Sequence, residues 1–286
     1  MQINWYPGHM AKAKRLLQDQ ISKCDLIIEI CDARLPFSSR NPVLDQLVEN
    51  KRRLLLLNKA DLADPSVSKE WIEFFRKKGT DAYIINANQF RKTAEIAKIE
   101  EALNETIEKA AAKGVRKTNK VMVIGVPNVG KSTYINHLKG ERIAETGDKP
   151  GVTKSNRWIK VTPYLDLLDT PGLLWSRIDD QTAARRLCYI GSVKDGIVDM
   201  NELAIQLLQD IDIIRPKSLE ERFKVTTHGL SGTELLDEVC RRRGFLLKGN
   251  IYDYDRCSSV ILDEFRAGKL GRISLETPSH KTYSEE

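Results

Sequence analysis

Residues 120–133, Lys-Val-Met-Val-Ile-Gly-Val-Pro-Asn-Val-Gly-Lys-Ser-Thr, leave this chain few ways to fold. The apolar run 121–124 reads as a buried strand that passes directly into Gly125-x-x-x-x-Gly130-Lys131-Ser132, and 132–138 reads as a helix. Glycines at both ends of such a loop let the backbone curl round an anion with no Cβ in the way. The curl turns N–H groups inward, and the helix start adds the positive end of its dipole. In that arrangement Lys131 reaches the β- and γ-phosphates of a nucleotide and the Ser132 hydroxyl holds Mg²⁺. The candidate phosphate contacts are therefore Asn128, Val129, Gly130, Lys131, Ser132 and Thr133. A plain glycine-rich turn is the competing reading, and the flanking strand and helix weigh against it.

The rest of the chain supplies the layers such a loop needs. Apolar runs at 26–30, 53–57 and 82–85 read as further buried strands, and they alternate with helical patterns at 11–23, 44–48, 71–78 and 93–113. Residues 157–161 and 165–168 read as an antiparallel pair closing on Asp169-Thr-Pro-Gly172, and 140–156, with Gly147, Pro150 and Gly151, as a mobile loop. Alternating strands and helices predict an α/β fold with a doubly wound, mostly parallel sheet. Beyond Leu174 the pattern is helical only, at 181–190, 201–210, 219–223, 233–243 and 256–267, with Ser231-x-x-Glu234 as a capping box. Two domains are expected, 1–176 and a smaller all-helical 177–286.

Two strand ends carry further chemistry. Asn58-Lys59-Ala60-Asp61 follows a buried strand, where ligand crevices lie in such sheets. A carboxylate there accepts from both the N1–H and the exocyclic amine of guanine, whereas adenine would leave Asp61 unpaired. Alone the tetrapeptide reads sooner as a solvated turn; beside a phosphate loop it favours guanine over adenine. Asn86-Ala87-Asn88 is placed to offer a backbone N–H to the guanine O6. Asp169 would hold Mg²⁺ through a water and the Gly172 N–H would touch the γ-phosphate, with Thr153 closing onto the metal when a third phosphate is bound. An ordinary loop threonine is the alternative for Thr153.

The motifs run in rotated order: base elements first, then the phosphate loop, then the two switch elements. That order, with Trp5-Tyr-Pro-Gly-His9-Met, Asp32-Ala-Arg34-x-Pro36 and an all-helical tail, resembles the circularly permuted YlqF/RbgA GTPases along essentially the whole chain. Tyr6 stands where that family usually has Phe, and Asn86 where it usually has Ser or Thr. The resemblance implies hydrolysis of GTP to GDP in assembly of the large ribosomal subunit, with ribosomal RNA as partner and an RNA-binding, antiterminator-like tail. Leu173 and Leu174 occupy the stretch where many GTPases carry a water-orienting Gln, so intrinsic hydrolysis is expected to be slow. The resemblance implies that Asn128 binds K⁺ and that His9 orients the water; a histidine packed at a helix start is the alternative for His9. His9, Lys131 and Asn128 are thus the candidate catalytic residues.

Composition sets the outer bounds. No apolar stretch of the 286 residues reaches the ~18 needed to span a bilayer. The N-terminus lacks a signal-peptide layout, and five scattered cysteines form no Cys-x-x-Cys pair. A cytoplasmic protein with reduced thiols, no membrane partner and no oligomer is expected. The formal charge of +6 divides unevenly: residues 1–175 hold 29 Lys and Arg against 21 Asp and Glu, residues 176–286 hold 17 against 19. A basic front half suits a polyanion, although much surface charge is only solvation, and RNA contact by the tail must rest on clusters such as Arg241-Arg242-Arg243. A guanine-nucleotide sensor that barely turns over, and a GTP-dependent subunit acting on transfer RNA, remain as rivals. Neither the cysteine neighbourhoods nor the motifs supply the second with a modification site.

Overall fold

The computed structural model describes residues 17–40, 42–48, 51–86, 89–141, 157–170 and 180–280. Six strands form a single sheet: β1 (Leu26–Asp32), β2 (Arg52–Asn58), β3 (Asp81–Ile84), β4 (Asn119–Ile124), β5 (Arg157–Thr162) and β6 (Leu165–Asp169). Their order is β3-β2-β1-β4-β6-β5, parallel throughout except for the β5–β6 pair. Central strands are buried on both faces, which is why they read as unbroken apolar runs. Along β1, Leu26, Ile28 and Ile30 point into the same core cluster as Leu54, Leu56, Val121 and Val123, while Ile27 and Cys31 point to the opposite side. Period-two alternation therefore feeds two helical layers.

One layer holds the helical residues 17–22, α1 (Pro42–Leu47) and α2 (Pro65–Lys77), which bury Leu17, Ile21, Leu44, Trp71 and Phe75. The other holds α3 (Lys92–Ala102) and α5 (Lys131–Lys139), which bury Ile99, Tyr134, Ile135 and Leu138. Between them α4 (Asn104–Ala111) buries no residue. The helix expected across 93–113 is thus two helices, broken at Leu103, whose side chain is buried. Helix α2 begins at Pro65, well before residue 71, because Asp64 caps it by accepting from Ser66 N and Val67 N and proline suits the first turn.

The remaining helices are α6 (Gln181–Tyr189), α7 (Met200–Ile214), α8 (Pro216–Phe223), α9 (Gly232–Arg243) and α10 (Tyr254–Arg266). Helix α7 is the axis, packing against α6, α8, α9 and α10. Asp180, Asp199 and Asp253 cap α6, α7 and α10, and Ser231 with Glu234 forms the expected capping box on α9. These helices share one continuous apolar cluster with the sheet, from Leu26 and Val123 through Leu187 to Phe265. The helical region is therefore packed on the sheet rather than hung from it.

Candidate nucleotide-binding site

The chain reverses its direction of travel across the sheet between β1 and β4, and in such sheets ligands bind outside the carboxyl ends of the strands on either side of that point. The loop after β4 is shaped by two glycines. Gly125 has φ 154° and a Cβ there would overlap Ile30 O; Gly130 has φ 96° and a Cβ would overlap Asn58 Nδ2. Asn128 adds a third left-handed residue at φ 64°. The loop then enters α5 with Gly130 as its N-cap. A turn of this kind in front of a helix aims backbone N–H groups at an anion.

Lys131 is 6% exposed, and its Nζ donates to Val126 O at 2.8 Å across the loop. Burial lowers its pKa to about 8, against the opposing pull of Asp169. Asp169 closes β6 in register with Val123, and its Oδ2 accepts from the Ser132 hydroxyl at 3.5 Å. Burial raises the Asp169 carboxyl while Lys131 and Ser132 oppose the shift. Its other oxygen, Oδ1, is buried without a hydrogen-bond partner. A hydroxyl beside a half-satisfied carboxylate fits Mg²⁺, which takes few protein oxygens and completes its shell with water and phosphate. Consistent with that, among the described residues no group of three or more His, Cys, Asp or Glu could hold a metal alone.

The loop after β2 is tied to the phosphate loop. Asn58, 4% exposed, donates from Nδ2 to Val129 O at 2.8 Å. The approach of this amide, with the left-handed backbone, is what requires glycine at 130. Lys59 sits at φ 60° and its Nζ lies 3.4 Å from Asp32 Oδ2. Leu62 N donates to Lys59 O at 2.9 Å, which turns the chain at Asp61, a partly exposed residue beyond the end of β2. Ala60 N donates to Ile85 O at 3.4 Å, so Asn86 follows directly beside the turn. Asn58, Lys59, Asp61, Asn86, Asn128, Val129, Gly130, Lys131, Ser132, Thr133 and Asp169 thus all lie at one end of the sheet. His9, Ala87, Thr153, Gly172, Leu173 and Leu174 lie outside the described residues, as does most of the loop expected at 140–156.

The structural role of Asp32 and Arg34, quoted above only as part of a family motif, and that of Gly191 and Ser192 escaped the sequence reading. Asp32 is fully buried and accepts from Arg34 Nε at 2.9 Å and Nη2 at 2.8 Å. Burial pushes its carboxyl up, but Arg34 and Lys59 more than offset that and hold it well below the usual carboxylate range. Arg34 Nη1 then donates to Phe265 O at 2.9 Å in α10. Between α6 and α7, Gly191 O accepts from Asn128 Nδ2 at 2.6 Å, and Ser192 Oγ donates to Pro127 O at 2.6 Å. The Asp-x-Arg spacing at a strand end was a visible signal for the first group. Nothing in the local sequence marks Gly191 or Ser192.

A doubly wound sheet with a glycine-rich phosphate loop, a serine at the helix start and an aspartate at the neighbouring strand end defines a P-loop nucleotide hydrolase. Residues 120–224 match the family model of the 50S ribosome-binding GTPases. Ribosome biogenesis GTPase A of Bacillus cereus is 44% identical over 280 residues, covering 97% of this chain and 95% of that protein. The Priestia megaterium protein of the same name is 40% identical over 282 residues, covering 98% of each. The crystal structure of GNP-bound YlqF from T. maritima superimposes with a TM-score of 0.68 at 27% identity, covering 93% of this chain and 98% of that one. This chain belongs to the ribosome biogenesis GTPase A family. It is a circularly permuted GTPase that hydrolyses GTP to GDP and phosphate and acts in ribosome biogenesis.

Proposed function

We propose that the chain binds ribosomal RNA and precursor large subunits in its GTP state and leaves them after hydrolysis, in the cytoplasm. The observation that carries this reading is the pair of bonds in which Asn128 donates to Gly191 O and Ser192 donates to Pro127 O. The loop that would hold the phosphates is bonded to the helical region that would meet the RNA, so a change in phosphate number has a short path outward. Within the site, Lys131 and the α5 N-terminus bind the phosphates and Asp61 reads the guanine edge, with the segment at Asn86 and Ala87 meeting O6. Ser132 and Asp169 would hold Mg²⁺, which would supply positive charge beside the phosphates. Thr153 and the Gly172 N–H sense the third phosphate. His9 orients the attacking water in place of a glutamine, and the Asn128 side-chain oxygen, turned by the Gly191 bond, serves K⁺. Residues 1–176 act as the GTPase unit and 177–286 as the ribosome-facing unit.

The tail's arginine cluster is partly neutralised: Arg241 and Arg242 both bond Glu238, and Arg243 bonds Glu264. RNA contact is therefore assigned to the tail together with the basic front half, not to that cluster alone. Co-sedimentation tests the reading: protein loaded with a non-hydrolysable GTP analogue should pellet with large-subunit particles, GDP-loaded protein should not, and large subunits should accelerate turnover in K⁺ more than in Na⁺. Equal pelleting in both nucleotide states would remove the release step; no stimulation would favour the nucleotide sensor.

A further inference from the structure

The end of the chain does not stay with the helices. Beyond α10 it turns back, and residues 272–276 cross the loops that follow β1 and β2. Ile273 N donates to Leu62 O at 3.0 Å and Leu275 N to Arg34 O at 2.9 Å. Asp64 N donates to Ser274 Oγ at 3.1 Å, and Trp71 Nε1 to Glu276 O at 3.0 Å. The Glu276 carboxylate, 4% exposed, accepts from Phe37 N at 2.8 Å, Ser38 N at 3.2 Å, the Ser38 hydroxyl, and Arg186 Nη1 at 3.2 Å. A buried carboxylate with that many donors is a fixed point, because moving it would strand all of them without partners.

What the segment holds is the turn that carries Asp61. Leu62, the next residue, is bonded through its carbonyl to Ile273 and packed against Gly268, where φ is 72° and a Cβ would come within 2.5 Å of Leu62 Cδ2. The other side of the turn is tethered through Lys59 to Asp32, Asp32 to Arg34, and Arg34 to Phe265 O. Both sides of residues 59–62 are thus anchored to residues 265–276, some two hundred positions later. A carboxylate that must meet two donors at once depends on such anchoring, since hydrogen bonds weaken steeply with misalignment.

We propose that residues 268–276 form a strap that positions Asp61 against guanine, so that base selectivity is set by the tail of the chain. Glu276 and Ser274 are positioning residues in this scheme: neither touches nucleotide. The proposal rests on the base-reading role given to Asp61 above.

The test uses the full-length protein and compares affinities for GDP and for inosine diphosphate, which lacks the exocyclic amine, alongside thermal unfolding. Wild type should prefer GDP by about tenfold or more, the worth of one hydrogen bond to a charged group. Glu276→Gln and Ser274→Ala should cut that preference to roughly threefold, weakening GDP more than inosine diphosphate. An unchanged preference in folded variants, or equal weakening of both nucleotides, would overturn the strap and leave a merely structural role. A wild type without preference would instead overturn the reading of Asp61 itself. If Glu276→Gln does not fold, Ser274→Ala, which removes only the acceptor for Asp64 N, decides the matter.

Discussion

Lys131, to which phosphate binding is assigned above as a proposal, is shifted from its ordinary titration by the fold. Its ammonium is buried opposite Asp169, and burial lowers its pKa to about 8. A triphosphate restores charge beside it, so the pKa in the complex must be higher. Between the two values, binding takes up a proton, and affinity falls as pH rises through the window above about 8. Calorimetry at pH 8.5 in two buffers of different ionisation enthalpy should show proton uptake on GTP binding that Lys131→Ala abolishes. Gly130 carries a different constraint, combining a left-handed backbone with the Asn58 amide against its Cα. Gly130→Ala should destabilise the loop by about 1–3 kcal/mol, read as weakened GDP binding. Replacing Asn58 by Ala in that background should relieve the overlap but not the backbone strain. The phosphate-loop motif was legible because its left-handed backbone at Asn128 and Gly130 is a constraint within a few residues of the chain. The role of the Asn58 amide was not, because its acceptor, Val129 O, is 71 positions away.

Helices and strands were legible where their signals are local. The apolar runs of β1, β2 and β4 were found because strands buried on both faces need apolar residues at nearly every position. The break at Leu103 was missed because Ala-, Glu- and Lys-rich sequence favours helix on both sides of it, while the buried leucine itself, at φ −97° and ψ 0°, leaves no local signal. Helix α7 ends at Ile214, beyond residue 210, since the next residues are Arg215 and Pro216, and proline starts α8. The Asp199 carboxylate accepts from Asn201 N at 2.9 Å and Glu202 N at 3.1 Å. Asp199→Ala should lower unfolding free energy by about 1 kcal/mol in urea melts, with GDP affinity unchanged, because the carboxylate bonds the first turn of α7 and not the phosphate loop.

At the scale of the molecule, the regions expected as two domains share an apolar core, and their contact also includes a buried polar group. Arg34 is 1% exposed, bonds Asp32 through two nitrogens, reaches Phe265 O, and lies 4.8 Å from the Phe265 ring centre. Arg34→Ala would leave a buried carboxylate with Lys59 as its remaining cation, a loss of about 3–5 kcal/mol. Lysine should rescue little, since it cannot make the paired contact. One shared core also predicts one transition. All four tryptophans lie in the first 176 residues, whereas much of the helix lies beyond them. Tryptophan fluorescence and far-ultraviolet dichroism should therefore give coincident urea curves, and separated midpoints would mean two independent units. The sequence by itself determined the layers, the phosphate loop and the rotated motif order, because strand burial, helix capping and anion cradles are built from neighbouring residues. Only the tertiary structure decided that Gly191 and Ser192 meet the phosphate loop and that Ile273 returns to the turn that carries Asp61. Those contacts depend on where the helical region lands on the sheet, and a hydrogen bond between distant residues leaves no periodicity in the chain.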